Sequence, residues 1–220
     1  RKAKSQGIDL LTVDQDLAAR LMQSEMLRPA DGTAGAAAGG AAGGAAKPVE
    51  ERLRELHAAE DLGIPWLTAV GGEMRQDSVR NALSVLPADV RHVLIHDAAR
   101  PFLTPALVRS VCEALQHGAC GVIPAVPVTD TIKTVADGLV TGTLPRQALM
   151  AVQTPQGFRK DILIEANEKA EADGFLGTDD ASLVERLGRP VRVVMSDYSN
   201  IKVTTPEDLL VAEAFLRQAH

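Results

Sequence analysis

A chain of 220 residues with 45% hydrophobic and 24% charged side chains, and a mean hydropathy near zero, has the composition of a soluble globular domain. Its net charge of −6 argues against a general nucleic-acid binder, so any anion site has to be a local basic patch. No apolar run approaches the roughly 20 residues of a membrane helix, no charged-then-apolar leader opens the chain, and Cys112 and Cys120 lack metal-ligand spacing, which together predict a cytoplasmic protein with free thiols.

The chain opens on Arg1 rather than Met, as a fragment or processed start would. Asp14 followed by Leu17, Leu21, Met22 and Met26 predicts an amphipathic helix over 14–26. Residues 30–47 alternate Ala and Gly in small blocks, a low-complexity linker with almost nothing to bury and no strand before it to make it a phosphate loop. Pro48 at a first turn, Val49, Leu53 and Leu56 on one face and Gly63 as terminator predict a helix over 48–62. The apolar run 64–70 and Gly71-Gly72, followed by Asp77-Ser78-Val79-Arg80-Asn81-Ala82-Leu83, read as strand, glycine turn and helix. Backbone groups at that turn are open to the edge of a flat ligand, with Ser78 adding a hydroxyl; the alternative is a simple tight turn with no ligand.

An apolar run, Val93-Leu94-Ile95, then ends abruptly in His96-Asp97-Ala98-Ala99-Arg100-Pro101. In open α/β sheets ligands sit outside the carboxyl ends of the strands. An acid and a base separated by two alanines suit the floor of such a site: Asp97 accepts from hydroxyls or stands near a metal, and Arg100 offers a fork of donors. The alternative is a turn closed by a local ion pair, which contributes little.

Thr104-Pro105 caps a helix with Leu107, Val108, Val111 and Leu115 in 3.6-residue phase, ending at Gly118, and 120–128 is a strand. Two short runs around Asp137-Gly138 then predict a hairpin over 130–144. So polar a hairpin has little core to cover, so it is a lid or an arm gripping a second subunit, and Arg146 stands at its base. The segment 152–158 reads as a polar loop, 160–171 as a helix and Thr178 as the cap of another helix. A strand over 190–197 precedes Asn200-Ile201-Lys202-Val203-Thr204 and a last helix with Thr205 as cap and Pro206 in its first turn.

Five of these segments recur in the order and spacing of one known family: His96-Asp97-Ala98-Ala99-Arg100-Pro101, Pro127-Val128 with Asp130-Thr131-Ile132-Lys133, Gln153-Thr154-Pro155-Gln156 with Phe158, Thr178-Asp179-Asp180-Ala181-Ser182, and Asn200-Ile201-Lys202-Val203-Thr204. Over residues 64–216 the chain resembles the 2-C-methyl-D-erythritol 4-phosphate cytidylyltransferases of the non-mevalonate isoprenoid pathway. The resemblance implies an α/β fold, a Rossmann-like nucleotidyltransferase three-layer sandwich with an inserted β-hairpin dimerisation arm at about 129–146. The implied domains are a divergent segment, 1–47, and a cytidylyltransferase domain, 48–220. It further implies a homodimer that uses Mg²⁺, held mainly by the CTP phosphates, to join CTP to a polyol phosphate and release pyrophosphate. By position, Gly72, Glu73 and Ser78 face the cytosine and the Ala98 backbone the ribose, with Glu73 standing where an aspartate is common. Asp97 and Arg100 hold the polyol hydroxyls, with Thr131 reaching in from the partner. Arg146 and Thr154, from the partner, and Lys202 grip the substrate phosphate.

Family members begin with a strand, then Ala-Ala-Gly-x-Gly-x-Arg and a lysine that wrap the triphosphate, and residues 1–63 contain no such pattern. A gap in the sheet is therefore expected. Two alternatives follow: a cytidylyltransferase for another polyol phosphate such as ribitol phosphate, or a truncated, non-catalytic subunit that keeps the arm.

Overall fold

The computed structural model describes residues 8–12 and 67–218. The helices expected over 14–26 and 48–62, and the Ala/Gly segment 30–47, lie outside the described residues.

Side chains alternate between the two faces of a strand, and the core divides by that rule. In β2 (His92–His96), Val93 and Ile95 join Val79, Leu83, Ile123, Phe158, Ile162, Leu163, Leu183 and Val184 in one apolar layer. Leu94 points the other way, to Val111, Cys112, Leu115 and Val122. Helices α1 (Arg75–Ser84), α3 (Lys160–Ala172) and α4 (Asp180–Arg186) cover the first face, and α2 (Pro105–Gln116) covers the second. The result is the predicted three-layer α/β sandwich. Each fully buried Leu, Ile or Val contributes about 1.5–3 kcal/mol, so β2 anchors both layers.

β1 (Ile8–Thr12) lies parallel to β2, with Ile8 opposite His92 and Thr12 opposite His96. β7 (Gln156–Arg159) pairs antiparallel with the other edge of β2. β3 (Gly121–Pro127) pairs antiparallel with β7 at Gly121 and Val122, and with β6 (Met150–Val152) at Ala125, Val126 and Pro127. β8 (Val191–Met195) runs parallel along the remaining edge of β3.

Four expectations change. The gap beside β2 is filled, because Ile8-Asp9-Leu10-Leu11-Thr12 supplies a strand; five residues are too few for a periodic signal. The strand expected over 64–70 is not formed in its described part: Leu67 and Val70 are exposed, and β1 already occupies the edge of β2 that β7 leaves free. The segment 152–158 is not a loop but the end of β6, a crossing and the start of β7. Its polar side chains misled the reading, since Gln153, Thr154 and Gln156 are buried and hydrogen-bonded rather than solvated. The cap of α4 is Asp179, not Thr178; its carboxylate accepts from Ser182 N at 2.9 Å and from the Gln156 amide at 2.8 Å.

Gly157 shows how closely α2 approaches the sheet. A Cβ there would stand 2.5 Å from Val111 Cγ1 and 2.9 Å from Leu115 Cδ1, both on buried side chains. Overpacking of this kind costs about 1–3 kcal/mol. Gly157→Ala should therefore lower the melting midpoint by about 2–12 °C for a domain of this size, as read by circular dichroism.

The predicted hairpin is present as a separate two-stranded sheet, β4 (Lys133–Ala136) and β5 (Leu139–Thr143). Its tight turn needs two residues with positive φ, and Asp137 (51°) and Gly138 (77°) supply them. Val135, Leu139 and Val140 are all exposed on it. α5 (Pro206–Gln218) closes the chain, with Thr205 Oγ1 accepting from Asp208 N as its cap.

Candidate active site

The carboxyl end of β2 turns at Asp97, where Arg100 N donates to the Asp97 carbonyl at 3.0 Å. This turn carries the acid and the base of the sequence motif onto the rim of the sheet. Asp97 is 7% exposed, and its Oδ2 lies 3.5 Å from Arg100 Nε and 3.3 Å from Lys202 Nζ. One buried carboxylate thus sits between two cations from segments a hundred residues apart. The Arg100 guanidinium is held further by a 2.8 Å hydrogen bond to the Asn200 carbonyl, and Val203 N donates to the Ala99 carbonyl at 2.8 Å. Those two bonds dock the Asn200-Ile201-Lys202 segment against the turn. Burial pulls the pKa of Arg100 below its ordinary value, against the opposing field of Asp97, while Lys202 keeps an exposed ammonium.

Beneath the turn lies a layer of buried polar groups. Thr154 Oγ1 is 3.0 Å from His96 Nδ1 and accepts from Asp97 N at 3.0 Å; His96 Nε2 is 3.0 Å from the Arg100 carbonyl. Asn200 Nδ2 donates to the Thr154 carbonyl at 2.9 Å and to Gln153 Oε1 at 3.0 Å, and Ser196 donates to the same Gln153 oxygen. Burying unpaired polar atoms is costly, and this layer pairs most of its own. His96, Gln153 and Asn200 stood inside the sequence motifs without a role assigned to them. No local signal singled them out: His96 ends an apolar run, Gln153 stands in a stretch that reads as a polar loop, and Asn200 follows the last strand.

The glycine turn forms a second wall. Gly72 N donates to Ser78 Oγ at 3.0 Å, and Ser78 Oγ donates onward to the Met74 carbonyl. A Cβ on Gly72 would fall 2.1 Å from Asp77 Cβ, so only glycine fits against α1. Ser78 is buried and secures the turn from within, whereas Glu73 and Ala98 are exposed at its surface and at the Asp97 turn. Arg75, the first residue of α1, binds the buried Asp180 at 2.7 Å. Burial works against the charge on Arg75, but Asp180, Asp97 and Asp179 more than offset it and raise its pKa.

Of the other residues singled out, Thr131 and Arg146 are exposed at the root of the hairpin, where Arg146 donates to the Thr129 carbonyl at 2.8 Å. Among the described residues, neither forms a hydrogen bond or ion pair with Asp97, Arg100 or Lys202. Thr154, expected from the partner, instead stands beside Asp97 of its own chain, as a buried side chain hydrogen-bonded to Asp97 N and His96, because the crossing from β6 to β7 brings it under the carboxyl end of β2. Among the described residues no group of three His, Cys, Asp or Glu is placed to hold a metal ion, and Asp97, the one carboxylate on the floor, is already flanked by two cations. No helix of the described residues is long and apolar enough to cross a membrane.

Residues 50–218 match the family model for 2-C-methyl-D-erythritol 4-phosphate cytidylyltransferase. A protein of that name from Geotalea uraniireducens is 54% identical over 169 residues, covering 74% of this chain and 72% of its own length. The bifunctional enzyme IspD/IspF of Lawsonia intracellularis is 48% identical over 165 residues, 74% of this chain, and the chain spans only 41% of that relative. Among solved structures, 4-diphosphocytidyl-2C-methyl-D-erythritol synthase from Anaerococcus prevotii superimposes with a TM-score of 0.70 at 34% identity, covering 76% of this chain and 77% of that one. The 2-C-methyl-D-erythritol 4-phosphate cytidylyltransferase of Thermus thermophilus gives 0.63 at 35% identity, covering 75% and 88%.

Proposed function

Because this chain belongs to the 2-C-methyl-D-erythritol 4-phosphate cytidylyltransferase family, we propose that it transfers CMP from CTP to 2-C-methyl-D-erythritol 4-phosphate, releasing pyrophosphate, as a step of non-mevalonate isoprenoid synthesis in the cytoplasm. The observation that carries the reading is the Asp97 carboxylate flanked by Arg100 and Lys202 at the carboxyl end of β2. A polyol phosphate needs both functions at once: an acceptor and donors for its hydroxyls, and a solvent-exposed cation for its phosphate.

In the reaction an oxygen of the substrate phosphate forms a bond to the α-phosphorus of CTP, and the bond from that phosphorus to the bridging oxygen of pyrophosphate breaks. The attacking group is already ionised, so the protein's work is positioning and charge neutralisation rather than proton transfer. Asp97 and Arg100 hold the hydroxyls, and the exposed ammonium of Lys202 meets the substrate phosphate. The backbone of the Gly72-Glu73 turn, braced by Ser78, meets the cytosine edge, and the Ala98 backbone meets the ribose. Bound with CTP, Mg²⁺ would supply charge neutralisation at the nucleotide's phosphates, while the residues named above hold the polyol phosphate and the base.

Thr131 and Arg146 complete the site from a partner subunit. They stand at the root of an exposed hairpin carrying Val135, Leu139 and Val140, apolar groups that a second subunit would cover. The working unit is thus a two-fold dimer with each site shared between subunits.

The direct test incubates the protein with CTP, Mg²⁺ and either 2-C-methyl-D-erythritol 4-phosphate or ribitol 5-phosphate, following pyrophosphate release and the nucleotide product by ³¹P NMR. Preferential consumption of the methylerythritol phosphate is expected; preference for ribitol phosphate would reassign the substrate, and turnover of neither would favour a non-catalytic subunit. Gly72→Ala probes the base wall separately. Losing the bond that holds the turn is worth about 0.5–1.5 kcal/mol, so KM for CTP should rise about two- to tenfold while KM for the polyol phosphate holds.

A further inference from the structure

We propose that His96 is a positioning residue for the floor of this site, acting as the neutral Nε2–H tautomer to brace both ends of the Asp97–Arg100 turn. The inference rests on the functional reading above only for what the turn binds; the brace itself is read from hydrogen-bond chemistry.

A backbone carbonyl only accepts, so the 3.0 Å contact between His96 Nε2 and the Arg100 carbonyl requires a proton on Nε2. In the neutral ring Nδ1 is then a bare acceptor, and its 3.0 Å partner, the Thr154 hydroxyl, must donate to it. With its proton spent on His96, Thr154 Oγ1 turns a lone pair to Asp97 N, the 3.0 Å bond at the other end of the turn. One imidazole therefore fixes the carbonyl of Arg100 directly and the amide of Asp97 through one intermediary. His96 is 6% exposed and Thr154 5%, so water does not substitute for either bond. Burial holds the His96 imidazole below the ordinary histidine range, which keeps the ring in the neutral form the chain of donors requires. Thr154 then has no hydroxyl proton left for a phosphate oxygen, so it acts on the site by holding the Asp97 amide rather than through a direct O–H bond to substrate.

Three measurements on the full chain test this. In ¹⁵N spectra of the imidazoles, with His96 assigned from its loss in His96→Gln, the ring should be neutral and protonated at Nε2 near pH 7; an Nδ1–H or cationic ring overturns the proposal. In His96→Phe, which keeps the ring's bulk without its nitrogens, the Asp97 and Arg100 amides should exchange with deuterium markedly faster while those of β3 do not; unchanged exchange overturns it. In kinetics, the shift of the floor should raise KM for the polyol phosphate about ten- to a hundredfold, the cost of a small misplacement, with a clearly smaller rise in KM for CTP, which meets this turn only through the Ala98 backbone. His96→Gln, which retains an amide donor at the Nε2 position, should recover much of that loss. Equal rises in both KM values would show that His96 merely fills the core. If the unsubstituted chain turns over no polyol phosphate, the functional reading fails, while the tautomer and exchange measurements still decide the brace.

Discussion

Lys202→Ala should lower kcat by about a hundred- to a thousandfold, corresponding to about 2.7–4 kcal/mol, with folding intact. Lys202 is the group on the floor whose charge is both exposed to the cleft and close to Asp97, at 3.3 Å. Its removal takes away the donor proposed above to meet the substrate phosphate as negative charge shifts towards the departing pyrophosphate. The fold should tolerate the loss, because Arg100 still faces Asp97 at 3.5 Å and the docking of this segment runs through the Asn200 carbonyl and Val203 N rather than the lysine side chain. Steady-state assays beside a thermal melt separate the two: a near-normal kcat would remove Lys202 from the chemistry, and a collapsed melt would make it structural. Lys202→Arg keeps the charge but changes the length and shape of the donor, and should restore only part of the rate.

The elements legible in the sequence were those with a local signal. Val93-Leu94-Ile95 announced a buried strand, Thr104 and Pro105 announced α2, and Asp137-Gly138 announced the hairpin; each appears where its chemistry placed it. Elements whose signal was not local were missed. Ile8–Thr12 becomes a strand only because β2 offers it an edge, and the segment over 67–70, with the more apolar look, has no such edge to join. Gln153, Thr154 and Gln156 resemble a solvated loop until the partners arriving from Asp97, Asp179, Ser196 and Asn200 are known. Within the site, Asp97 and Arg100 were legible as an acid and a base at a strand end, whereas Lys202, a lone lysine past the last strand, entered only through the family resemblance; the fold brings all three together. The brace beneath them was not, since a histidine at the end of an apolar run carries no mark that distinguishes a hydrogen-bonded positioning group from a core residue. Thr131 and Arg146 remain apart from that cluster within one chain, which is what a site completed by a second copy requires of its contributed residues.

The proposed division of labour between two copies has a sharp kinetic signature. Arg146→Ala and Lys202→Ala homodimers should each be nearly inactive. Mixed under conditions of proven subunit exchange, they should form heterodimers in which one site regains both groups and the other loses both. With random pairing about half of the dimers are mixed and each carries one competent site, so activity should return to about a quarter of the unsubstituted level. The assay is CDP-methylerythritol formation from CTP and 2-C-methyl-D-erythritol 4-phosphate in the exchanged mixture, with mass spectrometry confirming the heterodimer. Recovery near that level is the predicted result; no recovery in a mixture shown to contain heterodimer would place Arg146 and Lys202 in the same subunit's site and contradict the shared active site.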